Sequence, residues 1–600
     1  MTSTVLNATG AARRRLLGLL PAVLQGNDPA PMRRPGKAAV VDLRKSEAPA
    51  GLSLPPATAR WLQKATFGFS SPELAAFQAL PGASDDQKWQ AWVERQIAPA
   101  GIDDSACEAR IASAGFTTLD KTLPQLWADH KNIDDNYSLR MLPMAESECA
   151  TTIRAIYSQR QLHEVLVDFW HDHFSVFGWD YDGGPVFVHY DRDVIRPNAF
   201  GNFRTLLEAV CRSTTMMYAL DLYESTRDGP NENYARELLE LHTLGAENYA
   251  GVMPPDDPSL PSGPDAAGQN VRLKYVDNDV YETTRALTGW TIRNGHWQYP
   301  GEDDGTFTFR NAWHDWFNKY VLNRYFAANQ SDGQQDGVKL FDILSAHPGT
   351  ARFIARKLCT RLIGEGVSAA TIDAAAAVFM AQWQAPDQIA QVARSILLSD
   401  EFKSTWGAKV KRPFVAAAGA IRALDADFTP TTQNYPNEWS TKDEFNHRTQ
   451  QAGHRLFYWP APNGYPDRNT AWRSTGALAM SWKLLARLTE IHKEVGYDGN
   501  RPFLADIHGQ TQAAIAGGTP STPAGVAGFW CDRIFGFRPD GTYALAVDFL
   551  RQNAAADATL DFTTDNWRFG GNPDFSNHYN RQRLRTTVAL LLCSPDFFQR

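Results

Sequence analysis

Along most of this chain apolar residues return every third or fourth position, the spacing of a helix that buries one face. Strictly alternating stretches are few and short. Ordered structure is predicted from Thr58-Ala-Arg-Trp-Leu-Gln-Lys-Ala-Thr-Phe67 onward. Ser70-Ser-Pro-Glu73 then supplies a cap, a first-turn proline and an acidic residue for a helix through Leu80. Further helices fit 86–97, 150–177, 202–211 and 230–244, the last opening near Pro230 and stopping at Gly245. Asp279 is placed to cap a helix over 280–288. The helical period resumes over 337–346, breaks at His347-Pro-Gly349, and continues over 351–363, 369–382, 386–398, 411–424 and 475–494, with a closing helix near 580–594. Residues 250–275 are polar and rich in Pro, Gly and Asp, the mark of an exposed loop, and 515–575 reads as a second loop-rich region. The expected fold is mainly α: a multi-helix globular fold with long loops and few short strands.

Six hundred residues exceed what one core usually organises. The chain therefore divides into a leader and linker over 1–57, an N-terminal helical region over 58–330 and a C-terminal helical region over 331–600. The leader holds Arg13-Arg-Arg15 ahead of the apolar run Leu16–Leu24. That is the order of an export signal, and adjacent arginines point to the twin-arginine route, although Pro21 interrupts the run and no A-x-A site follows. A net charge of −8 leaves no electrostatic footprint for nucleic acid. No apolar run reaches the ~18–20 residues of a membrane-spanning helix. The six cysteines (107, 149, 211, 359, 531 and 593) lie far apart and are expected to be buried free thiols.

Ionisable groups concentrate between about 160 and 320. In Tyr157–Phe177, residues Leu162, Val165, Leu166, Phe169, Trp170 and Phe174 form a broad apolar face. Glu164, Asp168 and His171 follow i, i+4, i+7 spacing as a separate polar stripe, whereas His173 falls inside the apolar face and needs partners for both ring nitrogens. In the helix ending at Gly245, Glu232, Arg236 and Glu240 make an ordinary ion-pair row. Glu237 turns towards Tyr234, Leu241 and Leu244, and His242 flanks the other edge. A carboxylate facing a core must be paired, coordinated or protonated, so Glu237 is either a functional carboxylate or the partner of an arginine such as Arg204 or Arg285. His314 sits in the loop Trp313-His-Asp-Trp316. Together Asp168, His171, Glu237, His242 and His314 are candidate ligands of a divalent metal, with Glu237, His173 and Asp168 as candidate acid/base groups. A solvated helix face and a hydrogen-bonded core histidine are the simpler reading of the same residues. No Walker A, H-E-x-x-H, Rossmann glycine or G-x-S-x-G pattern is present.

An ordered series of segments carries a resemblance over nearly the whole chain from residue 58. It runs through Ala65-Thr-Phe-Gly68, Phe169-Trp-His-Asp-His-Phe174, Ala199-Phe-Gly-Asn-Phe-Arg204 and Asn231–Gly245. Arg285-Ala-Leu-Thr-Gly-Trp290, Trp313-His-Asp315, His347–Lys357, Pro462-Asn-Gly-Tyr-Pro466 and Ser594-Pro-Asp-Phe597 complete it. The chain resembles the bacterial family catalogued as domain of unknown function 1800. The resemblance implies an exported protein, periplasmic or secreted, often encoded beside an exported sulfatase-like partner; it implies no activity. Three functions stay open. The first is a metal-assisted hydrolase on an envelope or extracellular polymer, with Trp290, Trp297, Trp313 and Trp316 able to stack on the sugar rings of a polysaccharide. The second is a non-catalytic binding or assembly protein working with the sulfatase-like partner, and the third a redox or metal-storage protein using a carboxylate–histidine site.

Overall fold

The helical period is realised at Ala57–Ala65, Ser71–Gln78, Asp85–Gln96, Phe203–Arg212, Gln334–Ala346, Pro348–Leu362, Ala369–Ala381, Gln388–Leu397 and Pro413–Ala423. The structure is a computed structural model and describes residues 53–432, 441–490, 504–551, 554–555, 557–562 and 581–600. The Arg13–Leu24 segment lies outside the described residues. Caps fall where the sequence puts them. The Ser70 backbone N–H donates to Glu73 at 2.8 Å, closing a capping box. At the His347-Pro-Gly break, the His347 ring accepts the Gly349 N–H at 2.9 Å and so starts the next helix while ending the last.

Four expectations change. The 150–177 helix is two helices, Leu142–Tyr157 and Gln161–His173. Ser158 is extended, and Asp104, from far upstream, accepts from its hydroxyl at 2.8 Å and from the Gln159 N–H at 2.6 Å. That remote carboxylate serves a backbone N–H that the break leaves without an intrahelical partner, which no local pattern announces. The 230–244 helix is α only over Glu232–Glu237 and continues as a π turn, Leu238–Thr243, which rotates the residues after Glu237 out of α phase. Asp279 caps from inside the first turn of Asp277–Ala286 rather than from ahead of it. Its carboxylate accepts from Val276 N–H and Leu322 N–H, each at 2.8 Å, and from the Arg272 guanidinium. Finally, 515–575 contains the helices Pro523–Phe535 and Asp540–Arg551. Thr522 caps the first through the Gly525 N–H at 3.1 Å and Gly536, at φ +75°, ends it, so residues read as loop-formers are helix boundaries.

Among the described residues the strands form three two-stranded antiparallel pairs: Ser262–Pro264 with Asn270–Arg272, Trp290–Asn294 with Asp303–Phe309, and Lys319–Val321 with Arg324–Phe326. The fold is mainly helical. Residues Ala48–Arg600 form one compact unit. Its main apolar core joins Trp89, Trp170 and Trp290 from before residue 330 to Phe341, Phe414 and Trp530 from after it. The six cysteines are free thiols, all buried except the partly buried Cys593. Among the described residues no helix is long and apolar enough to cross a membrane.

Candidate functional site

The Gln161–His173 helix sets out its ionisable groups on different sides, and each side meets a different part of the chain. Glu164 and His171, expected on a polar stripe, are buried at 5% and 8% exposure. Arg196 bridges them: it donates to Glu164 at 2.8 Å and to Asp191 at 2.7 Å, and Asp191 faces His171 Nε2 at 2.9 Å. Burial alone would raise the Glu164 carboxyl, but the Arg196 charge, helped by His163, outweighs it and holds the group at about 2. Asp168 is bound by the Arg361 guanidinium. The stripe is thus held in two ionic clusters, Glu164–Arg196–Asp191–His171 and Asp168–Arg361, rather than being a solvated face.

His173 lies on the apolar face as its position predicts, 1% exposed. Its Nε2 stands 3.0 Å from the His242 carbonyl, which only accepts, so Nε2 carries the proton and Nδ1 is left as an acceptor. Lys357, from the Pro348–Leu362 helix, donates to that Nδ1 at 2.8 Å. Burial and the Lys357 charge keep His173 neutral, well below the usual histidine range, and push His242 down to about 3. The His242 ring is fully buried, and neither of its nitrogens has a hydrogen-bond partner among the described residues. Lys357 is half-buried and is itself lowered to about 8, first by burial and then by Arg356 and Arg412, against the pull of Asp172 and Asp467. No carboxylate lies within 4.0 Å of its ammonium group among the described residues.

Lys357 lines a cleft of about 210 Å³ shared with Phe169, Asp172, Arg356, Thr360, Arg412, Asn463, Tyr465, Pro466 and Asp467. Arg412 is 3% exposed and pairs with Asp172 Oδ2 and, at 3.1 Å, with Asp467. Lys409 also holds Asp467, while donating to the Thr360 carbonyl at 3.0 Å. Burial raises Asp172, with Arg412 opposing; Asp467 stays well below the carboxylate range because Lys409, Arg412 and Arg361 overcome its burial. The far wall depends on Gly464, at φ +68°, where a Cβ would stand 2.0 Å from the Asp172 carbonyl oxygen. This lets the 462–466 loop lie directly on the end of the Gln161–His173 helix. Asn463 accepts from Trp459 Nε1 at 2.9 Å, which leaves its amide N–H₂ for the cleft.

The remaining sequence candidates lie elsewhere. Glu237 is half-buried without an ion pair or hydrogen bond among the described residues, and burial, reinforced by Glu240, raises it to about 7. Neither proposed arginine reaches it: Arg204 binds Glu208 and Asp342, and Arg285 binds Glu282 and Asp315. Arg236 pairs with Glu232 at 2.6 Å and with Asp277, and Glu240 takes no part in the row because the π turn carries it away. His314 is fully buried between the Thr288 carbonyl at 2.8 Å and Asp336 at 3.3 Å, with Lys319 on the same carboxylate at 2.7 Å. Of the four tryptophans named for stacking, Trp290 is fully buried in the core and Trp297 is 79% exposed. The structure brings His173 and His242 together, 6.2 Å between ring centres, but does not gather Asp168, His171, Glu237, His242 and His314. Among the described residues no group of three His, Cys, Asp or Glu side chains is placed to hold a metal ion.

Sequence reasoning missed Asp172, Lys357, Arg412 and Asp467. Lys357 and the 462–466 loop stood inside segments that carried the family resemblance, but nothing in their spacing marks them as neighbours. The family model described as "Protein of unknown function (DUF1800)" matches residues 60–599, and the chain belongs to that family. No curated protein and no solved structure matches the chain.

Proposed function

We propose that this member of the DUF1800 family recognises an anionic group in the Lys357–Arg412 cleft. One observation carries the reading: Lys357 presents its ammonium group to an open cleft with a neutral imidazole as partner and no carboxylate within ion-pair distance. A desolvated cation whose direct partner is neutral is only partly compensated by the more distant Asp172 and Asp467, so the arrangement favours occupancy by an anion. Arg412 supports it, because it sets a second, permanently charged cation in the same lining. A lysine at about 8 also exchanges its proton near neutral pH, which adds acid/base capacity to recognition.

Metal-assisted hydrolysis has less support, since its five ligands are committed to separate partners or stand apart. Calorimetric titration of the full chain with phosphate, sulfate and acetate tests the anion reading. At least one should bind, and Lys357→Met should weaken it tenfold or more, about 1.4 kcal/mol. A Lys357→Met chain that titrates like the wild type removes the reading. Export is part of the proposal: Arg13→Lys with Arg14→Lys should retain the chain in the cytoplasm on cell fractionation, and unchanged export would discard the twin-arginine route.

A further inference from the structure

Anion recognition alone does not explain the whole lining of the cleft. Beside the cations Lys357 and Arg412 stands Asp172, whose Oδ2 is taken by Arg412 while Oδ1 has no hydrogen-bond donor among the described residues. A bare oxyanion filling this space would face that oxygen and be repelled by it. Thr360 gives its hydroxyl proton to the Arg356 carbonyl at 2.8 Å, so towards the cleft it too can only accept. The walls add the small exposed parts of Phe169, Tyr465 and Pro466, apolar contacts suited to the C–H groups of a saturated ring. A ligand complementary to all of this carries a negative group for the cations, hydroxyl donors for Asp172 and Thr360, and a ring for the walls. At about 210 Å³ the space suits one such unit, below the ~300–1,000 Å³ typical of larger ligands.

Resting on the anion reading above, we infer that the ligand is a polyhydroxylated ring acid, a uronate-type sugar either free or at the end of a chain. The charge seats on Lys357 and Arg412, and the hydroxyls donate to Asp172 and Thr360.

The test is calorimetric titration of the full chain with glucuronate, glucose, acetate and inorganic phosphate. Glucuronate should bind at least tenfold more tightly than each of the other three. Thr360→Val, which removes a single acceptor, should weaken glucuronate severalfold and leave acetate unchanged; Asp172→Asn should narrow the preference for glucuronate over acetate. If phosphate or acetate binds as tightly as glucuronate, the sugar-acid inference is overturned while the anion reading stands. If none of the anions binds, both fall. A glucuronate affinity untouched by Thr360→Val and Asp172→Asn places the sugar elsewhere and overturns the inference as well. Galacturonate beside digalacturonate identifies the source: a dimer that binds as tightly as its own monosaccharide supports a chain end, and binding of the monosaccharide alone supports a free acid.

Discussion

Replacing Lys357 by methionine should stabilise the protein near neutral pH while weakening anion binding tenfold or more. The lysine falls from its ordinary 10.5 to about 8 on folding, chiefly because burial strips water from the ammonium group. At 1.36 kcal/mol per tenfold change in proton affinity, holding the charged form in place costs about 3 kcal/mol. Below pH 8 both folded and unfolded chains carry the proton, and the folded state bears this cost in full. Between 8 and 10.5 the unfolded chain binds more protons, so stability climbs with pH; above 10.5 both forms are neutral and the cost is gone. Methionine fills similar volume without the charge, but it leaves His173 Nδ1 unpartnered, a loss of about 1–3 kcal/mol. The expected result at pH 7 is a net gain of roughly 1 kcal/mol. The sharper signature is slope: wild-type stability should rise relative to the variant across pH 8 to 10.5. Urea unfolding of both chains at pH 7, 8.5 and 10 measures this. A difference that does not change with pH would refute the reasoning, because it would mean that the lysine is not desolvated.

Gly464→Ala should destabilise the chain by about 2–4 kcal/mol, from left-handed backbone strain plus the collision with the Asp172 carbonyl, and should weaken anion binding. Gly476→Ala, where a Cβ meets nothing within 4 Å, is the control expected to leave both unchanged or slightly improved. Glu237→Gln should stabilise the protein above pH 7. The carboxyl is raised from 4.5 to about 7, so its unfavourable ionisation in the folded state grows as pH rises through that window. A Glu237→Gln advantage that persists at pH 4 would contradict this. His171→Ala should lower stability by about 1–3 kcal/mol through the Asp191–Arg196 network and leave the metal content of the purified protein unaltered. Loss of a stoichiometric metal from that variant, read by elemental analysis, would restore His171 as a ligand.

Local pattern carried far where local forces decide. The apolar position of His173 was legible because helical spacing alone puts it beside Phe169 and Trp170, and the chain buries it there. Its role was not, because Lys357 is supplied from 184 residues away. The same limit explains the break at Ser158, which Asp104 stabilises from outside the segment. Glu164 and His171 show the reverse limit: the stripe was legible but its burial was not, since Arg196 and Asp191 cannot be seen as partners before the chain folds back. At Pro523 and Gly536 the signals were local, but both residues also serve loops, and only the helix between them settles which use applies.

Three bonds from one short helix, Asp168 to Arg361, Asp172 to Arg412 and His173 to Lys357, all reach across residue 330. The consequence concerns how such a protein can be taken apart. A fragment ending near 330 would keep the acidic groups without their partners and open part of the shared core to water, and its complement would do the same with the cations. A cut near 330 would therefore separate all three pairs at once. The cleft belongs to the undivided chain, assembled only when the late segments close over the early ones.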